Sequence, residues 1–226
     1  MKGILFKPWK IKAIADGGHD RDWQTRRVIK PQPKYFHYSV DGQFPCTVQG
    51  EQFKPRYQAG EVVYIKEAFR YIHGGGEVHD FGVWYKLDGE YKWWRDNGGL
   101  MNYPINEKNR SPRFMPAWAA RYFIKITAVR AERTRDITFE DCLAEGIVSS
   151  EFWVKSPVAD SIFNVWYNAV GCKVPIDDYI DAGWIAYARS VYFALYDSIN
   201  GKGSHENNWD FKYSFVKVDK PVGKGE

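Results

Sequence analysis

The order of elements predicts an α+β fold: a small mixed or antiparallel β-barrel with peripheral helices. Strand-like segments outnumber helices, several of them come as hairpins, and too few helical crossovers separate them for a parallel sheet. The chain has 226 residues, 44% apolar and 27% charged, which fits a globular body and excludes wholesale disorder. One domain over residues 1–218 is expected, with a polar tail at 219–226.

Gly3-Ile4-Leu5-Phe6 reads as a short strand. Pro8 suits the first turn of a helix, and Trp9, Ile11, Ala13 and Ile14 continue it until Gly17-Gly18. Within the stretch from Asp20 to Lys30, Arg21–Arg27 reads on composition as a solvated basic turn with Trp23 tucked into the core, and Pro31 and Pro33 stop any regular element after it. Residues 34–60 are turn-rich and read as a surface excursion. Val62-Val63-Tyr64-Ile65 is β-branched and aromatic, hence a strand. Val83–Lys86 and Tyr91–Trp94 flank an Asp-Gly pair and read as a hairpin.

Residues 95–116 are irregular, and Tyr122–Val129 is the strongest strand signal. Thr138 reads as a helix N-cap with Asp141 three residues on, and Gly146 as the stop. Residues 158–169 and 179–197 read as helices. Phe211, Tyr213 and Phe215 alternate as a closing strand.

No stretch of about 18 apolar residues predicts a spanning helix. Charge and proline follow the first methionine too soon for a signal peptide. Cys46, Cys142 and Cys172 are few, dispersed and odd in number, which points to a reducing, cytoplasmic setting rather than a disulfide framework. A net charge of +4 permits a nucleic-acid partner without demanding one. The 10 Trp, 15 Tyr and 14 Phe fill a core or supply stacking faces for bases.

Gly201-Lys202-Gly203-Ser204 lacks the earlier glycine of a phosphate loop and reads as a turn. His73 and His79 match no zinc spacing, so neither metal nor cofactor is expected. The segment Arg21-Asp22-Trp23-Gln24-Thr25-Arg26-Arg27 gathers guanidinium groups and a hydroxyl around an aromatic ring. Arginine forks suit phosphate, and the hydroxyl suits ligand binding or hydrolysis beside a base. Glu67 continues the inward side of Val63 and Ile65, where a carboxylate is costly unless paired or functional. Glu145 lies one turn after Asp141, and such helical carboxylates are most often exposed.

The opening Gly3-Ile4-Leu5-Phe6, a short helix and Gln24-Thr25-Arg26-Arg27-Val28-Ile29-Lys30-Pro31 resemble the start of phage and prophage ASCH-domain proteins of the PUA-like superfamily. The resemblance continues through residues 62–69, Met115-Pro116-Ala117-Trp118-Ala119, residues 136–138, Ala144-Glu145-Gly146-Ile147 and residues 195–204. It implies a small PUA-like barrel with a cleft for nucleic acid or a nucleotide-like ligand. Residues near 34–60, 70–116 and 148–190 would be insertions.

One branch of that family removes the acetyl group from acetylated cytidine, using a Lys, a Thr and a Glu. The resemblance carries the Thr to Thr25 and the Glu to Glu145, whereas Asp22 stands at the Lys position. Lys66 would have to enter the site from its own strand.

The leading expectation is a module for RNA, DNA or a modified nucleoside. Arg21, Trp23, Arg26, Arg27, Lys66 and Glu67 would line its cleft, with Trp23 stacking on a base and a carboxylate accepting from an exocyclic amine. The alternative is an amidohydrolase on an acylated nucleobase, with Thr25, Glu145 and Lys66 as its working groups. A third expectation is a phage structural or host-interaction protein that uses its aromatics at an interface. No membrane partner is expected.

Overall fold

The computed structural model describes residues 1–19, 21–33, 37–38, 45–46, 52–73, 80–95, 108–147 and 184–221. The helix expected at 158–169 lies outside these residues. The protein is a mixed α+β fold. It divides into two compact units, each assembled from separate stretches of chain. The first contains Met1–Arg21, Val62–Lys125 and Lys217–Glu226, and the second contains Asp22–Glu61 and Ile126–Val216.

In the first unit, β1 (Gly3–Leu5) pairs in parallel with β5 (Val62–Lys66). The other side of β5 pairs antiparallel with the start of β9 (Phe123–Arg133), Tyr64 standing opposite Phe123. The helix α1 (Pro8–Asp16) starts with proline in its first turn and buries Lys10, Ile11 and Ile14 on one stripe.

A three-stranded antiparallel sheet follows, made of β6 (Phe69–His73), β7 (Asp80–Tyr85) and β8 (Tyr91–Arg95). The predicted hairpin is its β7–β8 half, and Gly89 takes the left-handed conformation (φ 77°) that the turn requires. One face of this sheet buries Phe69, Tyr71, Val83 and Tyr85 against Met115 and Ala119. Alternation therefore sends the side chains between them to the opposite face.

In the second unit, β2 (Trp23–Val28) pairs antiparallel with β10 (Trp209–Val218), and β10 is also hydrogen-bonded to β9. β3 (His37–Tyr38) and β4 (Pro45–Cys46) form a separate antiparallel ribbon. Residues 23–28 thus form a strand where the sequence suggested a basic turn. The strand carries its apolar and hydroxyl groups at Trp23 and Thr25, interleaved with polar positions that also find partners, so simple apolar alternation is hidden.

The short helix α2 (Phe139–Ala144) begins at the predicted cap. Thr138 and Asp141 form a reciprocal capping box. The helix α3 (Trp184–Asn200) buries Ala188, Val191, Tyr192 and Tyr196 at helical spacing and packs on α2. Gly201 and Gly203 are left-handed (φ 107° and 76°), and the chain turns there into α4 (Ser204–Asn207). The Asp197 carboxylate holds this turn by accepting from the backbone N–H groups of Gly203 (2.7 Å) and His205 (3.0 Å).

The expected closed barrel does not form among the described residues, whose strand orders are all open. No helix among them is long and apolar enough to cross a membrane. Replacing Thr138 with Ala removes one half of the capping box and should lower stability by about 1 kcal/mol, read from chemical denaturation. An unchanged midpoint would show that α2 is held by its packing alone.

Candidate functional site

Adjacent residues of a strand face opposite ways, and β2 uses both faces. Trp23, Thr25 and Arg27 share one of them, opposite Phe215, Tyr213 and Phe211 of β10. Arg26 takes the other, beside Lys212 in the register, with Asp210 two residues further along β10. On that second face α2 and α3 contribute the groups that meet these polar side chains.

The Arg26 side chain is only 1% exposed. Its Nη2 donates to Asp141 Oδ2 at 2.7 Å and to Glu132 Oε2 at 3.2 Å, and Nη1 lies 3.6 Å from Glu145 Oε1. Lys212 Nζ reaches Glu132 Oε1 at 2.9 Å and Asp141 Oδ1 at 3.3 Å. The guanidinium also sits 5.9 Å from the centre of the Tyr192 ring. Burial opposes the charge on Arg26, but Tyr192, Glu145 and Asp141 outweigh it and raise its pKa. Burial likewise opposes the Asp141 carboxylate, yet Arg26 and Lys212 hold it below the usual carboxylate range.

Beside this cluster lies the fully buried Asp210. The Tyr196 hydroxyl donates to its Oδ1 at 2.8 Å and the Thr134 hydroxyl to its Oδ2. Burial pushes the Asp210 pKa up to about 6, against the hydrogen bonds of Thr134 and Tyr196 and the field of Arg26. Cys142 is buried too, and burial pushes its thiol up to about 12, which leaves it a packing group rather than a nucleophile.

The remaining residues singled out by the sequence divide between the two units. Arg27 is half-buried on the Thr25 face. Burial lowers its pKa, while Glu145, Tyr57 and Tyr213 raise it. Thr25 is buried and turned away from the Arg26 guanidinium by strand alternation. Trp23 is 0% exposed and packs in the core, so its ring offers no face to a base, which corrects its expected stacking role. Glu145 is buried rather than the exposed helical carboxylate that base rates favour.

Arg21, Lys66 and Glu67 belong to the first unit. Arg21 is exposed. Lys66 Nζ donates to the Arg113 carbonyl at 2.9 Å. Glu67 is buried and takes a two-pronged contact from Arg121, Nε to Oε1 at 2.9 Å and Nη2 to Oε2 at 2.8 Å. Burial raises the Glu67 pKa and the Arg121 contact lowers it, with burial prevailing. Arg121 also reaches Asp88 (2.7 Å) and Glu90 (2.9 Å) and lies 4.2 Å from the Tyr85 ring centre. Glu67 is therefore a paired core carboxylate, not an open wall of a cleft.

Sequence reasoning missed Glu132, Lys212, Asp210, Thr134 and Tyr196. The signal was present in part: Asp210, Lys212 and Ser214 alternate with Phe211, Tyr213 and Phe215. Such an alternation ordinarily marks a solvated face, and only the helices laid over it show otherwise. No cluster of His, Cys, Asp or Glu among the described residues could hold a metal ion. No protein-family model, curated protein or solved structure matches this chain.

Two outcomes test this electrostatics. Arg26→Ala leaves buried carboxylates uncompensated and should cost about 3–5 kcal/mol of stability. The raised Asp210 pKa makes the folded state bind more protons than the unfolded chain between about pH 4 and pH 6. Its stabilising contribution is complete below pH 4 and is lost as the pH rises through about 6. Asp210→Asn keeps an acceptor for Tyr196 but cannot titrate. Its stability relative to the parent should therefore rise by about 1–3 kcal/mol from pH 4 to pH 7, measured by denaturation at each pH. A constant difference would mean that Asp210 titrates alike in both states.

Proposed function

We propose that this chain binds nucleic acid or a modified nucleotide, and that its fold is an elaborated PUA-like one. The observation that supports the reading is the meeting of the arginine pair of β2 with Glu145, which lies far away in sequence. Arg26 stands 3.6 Å from Glu145, and Arg27 lies within the field of the same carboxylate. A guanidinium and a carboxylate in one place offer a donor fork for phosphate and an acceptor for an exocyclic amine.

The division of labour differs from the one the sequence suggested. Arg26 is engaged by Asp141 and Glu132 and serves as the support of the site. Arg27, partly buried and within the field of Glu145, is the cation that would address the ligand.

Arg27→Ala and Glu145→Gln should each weaken binding of labelled single-stranded RNA, DNA or a modified nucleoside by about 1–3 kcal/mol in anisotropy or calorimetric titrations. Thermal unfolding of each variant separates lost affinity from lost fold. Binding equal to that of the parent would remove both residues from the site. Acetate release from acetylcytidine, abolished in Glu145→Gln, would instead assign the amidohydrolase reading.

A further inference from the structure

The three-stranded sheet of the first unit has a second face that its core does not use. Arg70 of β6 stands directly opposite Trp84 of β7, and Trp84 directly opposite Tyr91 of β8. The three side chains thus form one row across the sheet, on strands about 4.8 Å apart. The Arg70 guanidinium carbon lies 4.4 Å from the centre of the Trp84 ring. Trp84 is half-buried, and Tyr91 is 62% exposed. Next to Trp84 on the same face comes Gly82, paired with Ile72 and itself buried.

We propose that this face binds single-stranded nucleic acid by stacking bases on Trp84 and Tyr91, with Arg70 addressing the backbone. The inference takes its ligand class from the function proposed above but rests on a separate surface. Stacking against the indole holds the guanidinium flat and leaves its in-plane N–H groups as donors, and phosphate oxygens fit that fork. Arg70 makes no ion pair with the described residues, and its Nε has no hydrogen-bond partner among them.

The described side chains of this face are one cation, two aromatic rings and one aliphatic group, with no carboxylate among them. The nearest acids of the β7–β8 turn, Asp88 and Glu90, are held by Arg121, whose guanidinium lies over Tyr85 on the opposite face. Arg70 is the described group on this face that suits an anion. A duplex keeps its base faces stacked inside and cannot offer them to the rings, whereas a single strand can.

The test is anisotropy titration of the full chain with fluorescein-labelled oligothymidylate, oligouridylate and a duplex of equal length. Tyr91→Ala and Trp84→Ala should each weaken single-strand binding by about 5- to 100-fold and leave the weaker duplex binding unchanged. Tyr91 is so exposed that its loss should not disturb folding, which thermal unfolding verifies, while Trp84→Phe keeps a ring should Trp84→Ala unfold. Arg70→Gln should reduce the slope of log affinity against log salt by about 0.7, the contribution of one phosphate contact to a single strand.

Single-strand binding that falls with Arg27→Ala but not with Tyr91→Ala or Trp84→Phe would overturn the platform and leave the proposed function standing. Loss with the ring variants but not with Arg27→Ala or Glu145→Gln would support the platform and remove the proposed site. Absence of any oligonucleotide binding overturns the platform, and free-nucleoside titrations then judge the other site alone. A proline-rich peptide that competes for the rings, or self-association lost in Tyr91→Ala, would also overturn it.

Discussion

Arg26 is a cation in a place where an uncompensated cation cannot stay. Transfer of an isolated charge into an apolar interior costs far more than the net stability of a domain. The second unit meets this constraint by putting carboxylates around the guanidinium, and α2 supplies two of them from its two ends. The Asp141 carboxylate, in the first turn, accepts from Arg26 at 2.7 Å, from Lys212 at 3.3 Å and, at 3.5 Å, from the Thr138 backbone N–H as part of the capping box. Glu145, at the C-cap, flanks the other guanidinium nitrogen. Initiation of a six-residue helix and compensation of a buried charge thus depend on the same carboxylate. A helix this short is not stable alone, so its docking on β2 and β10 is what makes it a helix.

The first unit solves a similar problem with reversed roles. Here the deeply buried partner is an acid, Glu67, and Arg121 comes to it with both prongs of its fork. Arg121 then collects Asp88 and Glu90 from the hairpin turn and covers the Tyr85 ring. Breaking one partner of such an arrangement is costly, whereas the complete arrangement adds little beyond an apolar equivalent. Both networks are accordingly better understood as fixing where elements sit than as adding stability.

How much of this was legible in the sequence follows from what each pattern encodes. The strand at Val62–Lys66, the β7–β8 hairpin, the Thr138 cap and the closing strand announced themselves because branched residues, Asp-Gly and a capping pair act locally. β2 was misread as a turn because Gln24, Arg26 and Arg27 look wet in isolation. Burial of Arg26 depends on Asp141, and nothing local in Trp23–Val28 reveals that partner. Glu145 was singled out as a site residue and is buried beside Arg26, while Arg26 itself was assigned the ligand-facing role that the Arg26–Asp141 contact removes. The row Arg70–Trp84–Tyr91 escaped notice altogether, since it exists only in the register of three strands and has no spacing signature along the chain.

Residue type therefore marks chemistry without marking availability. Trp23 and Trp84 have the same indole, yet one is sealed in the core opposite Phe215 and the other lies under a guanidinium beside a largely exposed tyrosine. Arg26 and Arg27 are neighbours, yet strand alternation gives the first to α2 and leaves the second on the face of Thr25. In both pairs the fold gives the two members different surroundings. A buried guanidinium already committed to carboxylates gains little by turning to a phosphate, because it must give up equivalent contacts. A guanidinium held only by stacking loses nothing when its N–H edge meets an anion. The first member of each pair is therefore framework, engaged by its neighbours in the core.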